Sequence, residues 1–194
     1  MLSGWILALV AGLAAVEHNP APVESLTLEV RVFSGAEEVT GRTRLTVHRA
    51  GDRRESIPHS RTPDGRVQLA VPAGIYDIQA IEEREGRVVN IRWANRLVVM
   101  PYPDERGHHL EVINFKNGFG ALQVRADAGE VPEVVLFDPL KKQKPAAVPV
   151  AGPAYLLFIV PAATYDLRVR VGDKLAWHNG IEIPLDRTRL FVIQ

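Results

Sequence analysis

Leu28-Glu-Val-Arg-Val-Phe-Ser-Gly35 recurs downstream as Leu122-Gln-Val-Arg-Ala-Asp-Ala-Gly129. The alternation of apolar and polar residues in the first copy has a period of two, the mark of a strand with one buried face. It begins at Leu26, so that Leu26, Leu28, Val30 and Val32 share one face and Thr27, Glu29 and Arg31 the other. Three more pairs follow in the same order. Val71-Pro-Ala-Gly-Ile-Tyr-Asp-Ile78 matches Val160-Pro-Ala-Ala-Thr-Tyr-Asp-Leu167, and Trp93-Ala-Asn95 matches Trp177-His-Asn179. His109-Leu-Glu-Val-Ile113 matches Arg189-Leu-Phe-Val-Ile193. The separations shrink from 94 to 89, 84 and 80 residues, as in a tandem duplication whose second copy has shorter loops.

This reading expects an all-β chain of two tandem Ig-like or prealbumin-like β-sandwich modules, residues 24–118 and 119–194, joined at Asn117-Gly118. The connector Phe115–Gly120 is short, so the modules should touch. Further strands are expected at Arg42–His48, Arg66–Val71, Ile75–Ile81, Arg87–Trp93, Arg96–Met100 and His108–Phe115. Gly51–Gly65 reads as a long polar loop, Glu82–Arg87 as a charged hairpin turn, and Asp138–Pro145 as a solvated basic hairpin tip.

Before the first strand, Trp5 to Val16 form an unbroken apolar run of twelve residues. That suits the core of a signal peptide and falls short of the roughly 20 residues a membrane-spanning helix needs. Residues 1–16 are therefore expected to be a signal peptide and 17–23 a linker, which makes the protein exported, periplasmic or secreted, with no membrane span once the leader is removed. The 23 basic and 23 acidic residues balance, so the basic excess of a nucleic-acid binder is missing. The chain has no cysteine, which rules out disulfides, thiolate metal sites and a cysteine nucleophile.

The repeat-shared residues read as structural. Pro72 and Pro161 end strands because proline cannot donate to a sheet ladder. Tyr76 and Tyr165 each carry a hydroxyl able to bond backbone at a sheet corner. Asp77 and Asp166 give one carboxylate per module, too few oxygens for calcium. Gly74 is matched by Ala163, so that turn has no strict need for a positive φ. Trp93 and Trp177 occupy matching positions and are the candidate ligand-binding residues, since an exposed indole can stack on a sugar.

The segments Val71–Ile78 and Val160–Leu167, with Trp93 and Trp177, resemble the β-sandwich repeats of exported bacterial proteins. Such repeats occur among carboxypeptidase regulatory-like and transthyretin-like modules, and in tandem beside von Willebrand factor A-type domains. The resemblance implies an accessory, adhesive or structural part and brings no catalytic residues. Module two departs from the pattern at Ala163, and the chain carries no Asp-x-Ser-x-Ser metal motif of an A-type domain.

The search for chemistry yields no catalytic, cofactor or metal assignment. Gly-x-Ser-x-Gly, His-Glu-x-x-His and Gly-rich phosphate loops do not occur. His108 and His109 are adjacent on one strand and so face opposite ways. The leading expectation is a non-enzymatic interaction or structural protein that binds another protein or an envelope component, with strand addition at a sheet edge as one mode. A carbohydrate-binding module using Trp93 or Trp177 is the alternative. A small hydrolase or metal enzyme would need a cleft where His59, His108 or His109 meets carboxylates, with Asp104 a possible contributor.

Overall fold

The computed structural model describes residues 25–63, 65–101, 107–127 and 131–194. The expected signal peptide and linker, Asp104 and most of the loop 101–107 lie outside these residues. The described chain is nearly all strand, and its one helical segment is the 3-10 turn Thr40–Arg42. Among the described residues no helix is long and apolar enough to cross a membrane.

The strands of the first half are β1 (Ser25–Ser34), β2 (Glu37–Glu38), β3 (Thr43–Arg49), β4 (Asp52–Ile57), β5 (Ser60–Arg61), β6 (Val67–Pro72), β7 (Gly74–Arg84), β8 (Arg87–Val99) and β9 (His108–Asn114). The second half continues with β10 (Phe119–Ala126), β11 (Glu133–Phe137), β12 (Val150–Ala151), β13 (Leu156–Pro161), β14 (Ala163–Val171), β15 (Lys174–Ile183) and β16 (Thr188–Ile193). β1 is flanked on one side by antiparallel β6 and β2 and on the other by parallel β9, with β5 beyond β6. A second sheet runs β4-β3-β7-β8. After residue 118 come a sheet in the order β12-β13-β10-β16, its β10–β16 pair parallel, and a sheet β11-β14-β15.

The alternation in β1 decides its burial. Leu26, Leu28, Val30 and Val32 pack with Leu45, Val47, Tyr76 and Ile78 from the facing sheet in one apolar core. Leu122, Val124, Leu136, Phe158 and Leu167 form the corresponding core after residue 118. Each such aliphatic side chain contributes about 1.5–3 kcal/mol when fully buried. The registers are congruent: Leu28 stands opposite His109 and Leu122 opposite Arg189, while Gln79 pairs Trp93 and Arg168 pairs Trp177.

Two expectations are corrected. Gly51–Gly65 is not an open loop: it supplies β4 and β5, which extend the two sheets of the first half. Arg87–Trp93 and Arg96–Met100 are one strand rather than two. A bulge absorbs the break, as Arg96 takes a φ of +56° where the pairing slips between Tyr76 and Ile78. The basic loop is exposed from Pro139 to Ala146, with Lys142 also tied to Asp166. The charged turn at Glu82–Arg87 does close a hairpin, with positive φ at Glu85 and Gly86 as a type I′ turn requires. Its Glu82 is nonetheless fully buried, accepting from Arg42, Arg84 and Asn90.

The face of β1 opposite the core is buried as well. Phe33 of β1 with Leu110 and Val112 of β9 packs on Ala121, Leu157 and Ile159 of the β10–β13 sheet, with Tyr155 at the edge of the contact. Two sheets from the two halves thus lie face against face, and the polar residues Glu29 and Arg31 are sealed between them.

Candidate functional sites

The repeat-shared Tyr and Asp serve the two bulges. Tyr76 Oη donates to the Pro72 carbonyl at 2.6 Å, and Tyr165 Oη to the Pro161 carbonyl at 2.8 Å, pinning each strand to the turn before it. Asp77 Oδ1 accepts from the backbone N–H of Arg96 at 2.9 Å, and Asp166 Oδ1 from that of Gly180 at 3.0 Å. Both N–H groups belong to residues with positive φ, where a bulge turns them out of the ladder. For Asp77 the Arg96 N–H leads in holding the carboxyl below its ordinary value; for Asp166 the Lys142 ammonium leads, followed by the Gly180 N–H.

The same aspartates anchor cations over the tryptophans. Arg53 binds Asp77 Oδ2 at 3.2 Å and lies 4.1 Å from the Trp93 ring centroid. Lys142 binds Asp166 Oδ2 at 2.7 Å and stands 5.5 Å from the Trp177 centroid. Trp93 also stacks with His48, and Trp177 meets Phe137. Trp177 keeps 41% of its surface exposed, and Trp93 is half-buried. Each indole therefore already has a cation over its face, a favourable arrangement that a stacking sugar would have to displace.

The histidines separate. His59 sits in a shallow depression with Pro58, Ser60 and Gln68. His178 packs edge-on against Phe191 at 4.9 Å. His108 faces the inter-sheet contact, its Nε2 2.9 Å from Glu29 Oε2 and its Nδ1 2.8 Å from Arg125 Nη2. A guanidinium can only donate, so Nδ1 accepts and Nε2 carries the hydrogen given to Glu29. Among the described residues no group of three potential ligands could hold a metal ion.

Glu29 is the centre of that buried network. It accepts from Tyr155 Oη at 2.5 Å, Gln68 Nε2 at 3.2 Å and Arg66 Nη1 at 3.4 Å in addition to His108. Burial pushes its carboxyl up, but the hydrogen bonds from His108 and Tyr155 outweigh this and hold it at about 2. Arg31 donates to Tyr155 Oη and forms a bidentate pair with Glu38.

His109, on the opposite face of β9 from His108, lines a cleft with the carboxylates Glu111 and Asp186, the kind of meeting that the hydrolase or metal-enzyme reading asked of His59, His108 or His109. The cleft encloses about 510 Å³ between β8, β9, β10 and the turn entering β16. Glu111 lies two residues along the same face of β9. Desolvation pushes its carboxyl up to about 7, against a smaller downward pull from His109. Arg92, Arg96, Asp186 and Arg187 also line the cleft. Arg92 ties the halves together there, reaching Asp186 at 2.7 Å and Asn117 at 3.1 Å. Thr188 Oγ1 is buried without a hydrogen-bond partner. A lone glutamate in an alternating strand carries no signal of this kind, because the cleft is made by segments far apart in the chain.

No family model matches the chain, and no curated protein matches it. Among solved structures, the TIE protein of Bacillus anthracis aligns over 87% of this chain at 11% identity and a TM-score of 0.31, and this chain spans 33% of it. The minor pilin of Streptococcus agalactiae aligns over 87% of this chain and 94% of its own, at 10% identity and a TM-score of 0.29. A streptococcal ancillary pilin aligns over 90% of this chain and 64% of its own, at 12% identity and a TM-score of 0.30. Likenesses at these identities and scores assign no residue and no activity.

Proposed function

We propose that the chain is an exported, non-enzymatic structural and interaction protein. It is built as two tandem β-sandwich modules, 24–118 and 119–194, and receives an extended segment of another protein or envelope component along a free strand edge. The observation that carries this reading is β8. It is thirteen residues long, it pairs with β7 alone among the described strands, and Val88, Val89 and Ile91 are 52%, 46% and 58% exposed. An unpaired edge offers backbone donors and acceptors to an incoming strand, and its apolar side chains add affinity. The face-to-face packing of sheets from the two halves supports a stiff unit suited to presenting such an edge. The carbohydrate reading is the weaker one, since Arg53 and Lys142 already cover Trp93 and Trp177.

The test places a photo-cross-linking amino acid at position 91 of the full chain, in cells that produce it, with position 133 as the control. The expected result is recovery from the envelope or the medium and a higher-mass adduct at position 91, lost when Val89→Lys is added. Retention in the cytoplasm, or equal adducts at both positions, would refute the proposal.

A further inference from the structure

The congruent registers make the cleft interpretable. Val30 pairs Glu111, and Val124 pairs Phe191, so Glu111 and Phe191 hold the same place on the last strand of their halves. Across the gap between sheets, Ile78 pairs Ala94 and Leu167 pairs His178, so Ala94 and His178 correspond too. In the second half His178 and Phe191 meet edge-on and close the open side of the sandwich. In the first half the same two places hold Ala94 and Glu111, both of which line the cleft. An aromatic plug is thus replaced by a methyl group and an acid, and the space it would occupy is open. A part-buried carboxyl whose desolvation pushes it up is a costly feature in a sandwich edge with no ligand to serve.

The lining indicates what the cleft would take. Glu111 offers a hydrogen-bonding group, with Leu97 and Phe119 as apolar walls. Of the three guanidiniums, Arg92 is engaged with Asp186, whereas the side chains of Arg96 and Arg187 pair with no carboxylate of the described residues. Arg96 and Arg187 are exposed at the mouth of the cleft, whereas Glu111 is part-buried. Unpaired guanidiniums at the mouth and a hydrogen-bonding carboxyl deeper in call for a ligand that carries both a carboxylate and hydroxyls. The volume suits a molecule of one or two sugar rings.

We infer that this cleft is a binding site for a polyhydroxylated carboxylate of the sugar-acid class, with Arg96 and Arg187 receiving the carboxylate and Glu111 the hydroxyls. The cleft is bordered by β8 from Arg92 to Val98, past the exposed Val88–Ile91 stretch of the edge.

The test is an NMR titration of the full chain, 15N-labelled, with glucuronate and, separately, with glucose as the uncharged probe. Glucuronate is expected to move the amide signals of residues 92–97, 109–113 and 187–188 at millimolar concentration, and glucose to bind at least ten-fold more weakly. Glu111→Phe, which copies the plug of the second half, should abolish the shifts while keeping the β-sheet circular dichroism and thermal midpoint. Arg96→Ala with Arg187→Ala, both on exposed residues, should reduce glucuronate binding to that of glucose. Equal binding of the two probes, no shifts at these residues, or glucuronate binding that stays at the wild-type level in either variant would overturn the assignment.

Discussion

The Tyr155 hydroxyl donates to Glu29 Oε1 at 2.5 Å across the contact between the two halves, joining residues 126 positions apart. Both side chains are buried, so neither can exchange this bond for one to water. Tyr155→Phe keeps the ring packing and withdraws one donor from a buried carboxylate. It should lower unfolding free energy by about 1–3 kcal/mol in urea denaturation. Paired with Glu29→Gln in a double-mutant cycle it should show a coupling energy clearly above zero; additive effects would mean that the bond contributes little.

Gly152 is held by the same ring. A Cβ placed there would come within 2.2 Å of Tyr155 Cζ, and the Gly152 N–H is bonded to the Tyr155 carbonyl at 2.8 Å. Gly152→Ala should therefore displace Tyr155, and its cost should shrink markedly in a Tyr155→Ala background. A cost unchanged in that background would contradict the steric account.

Asp166 supports both a bulge and a cation. Asp166→Ala frees the Gly180 N–H and the Lys142 ammonium together. It should destabilise by about 1–3 kcal/mol. It should also raise the acrylamide quenching of Trp177 fluorescence, read in a variant whose other tryptophans are replaced by phenylalanine, because Lys142 would leave the ring. Unchanged quenching would show that Asp166 does not position Lys142.

Acid should weaken the inter-half contact. Glu29 falls from 4.5 to about 2, so its stabilising contribution is complete above pH 4.5 and is lost as pH drops through 2. For Glu29 this is on the order of 2 kcal/mol once solvent screening is allowed for. Glu82, raised by burial but held at about 2 by Arg42, Asn90 and Arg84, acts in the same direction. The thermal midpoint should fall between pH 4.5 and pH 2, and the fall should be shallower in Glu29→Gln.

Glu111 works in the opposite sense. Its carboxyl rises from 4.5 to about 7, so the folded state prefers it neutral. The stability tied to this preference is full below pH 4.5 and is lost as pH rises through 7. Glu111→Gln should remove a penalty on the order of 3 kcal/mol that wild type carries above pH 7. The variant's midpoint should exceed that of wild type at pH 8 by more than at pH 5; a constant difference would show that Glu111 does not titrate in this range.

What the sequence determined by itself was local. The alternation from Leu26 to Phe33 set which side chains of β1 share a face, because a strand's side chains alternate whatever surrounds it. Pro72 and Pro161 marked strand ends for an equally local reason, the missing N–H. The polar stretch 51–65 read as a loop because exposed strands such as β4 have no apolar face to give them a pattern. The second face of β1 was illegible for a related reason. Glu29 and Arg31 look like solvated residues until another sheet is laid over them, and partners such as Tyr155, His108 and Glu38 make their burial tolerable. The cleft belongs wholly to the tertiary structure. Glu111 is one polar residue in a strand, and its significance comes from lying opposite Ala94, where the second half has His178 and Phe191 in contact. Periodicity reports the chemistry of neighbours along the chain. The environment of a carboxylate is set by what folding brings beside it through space.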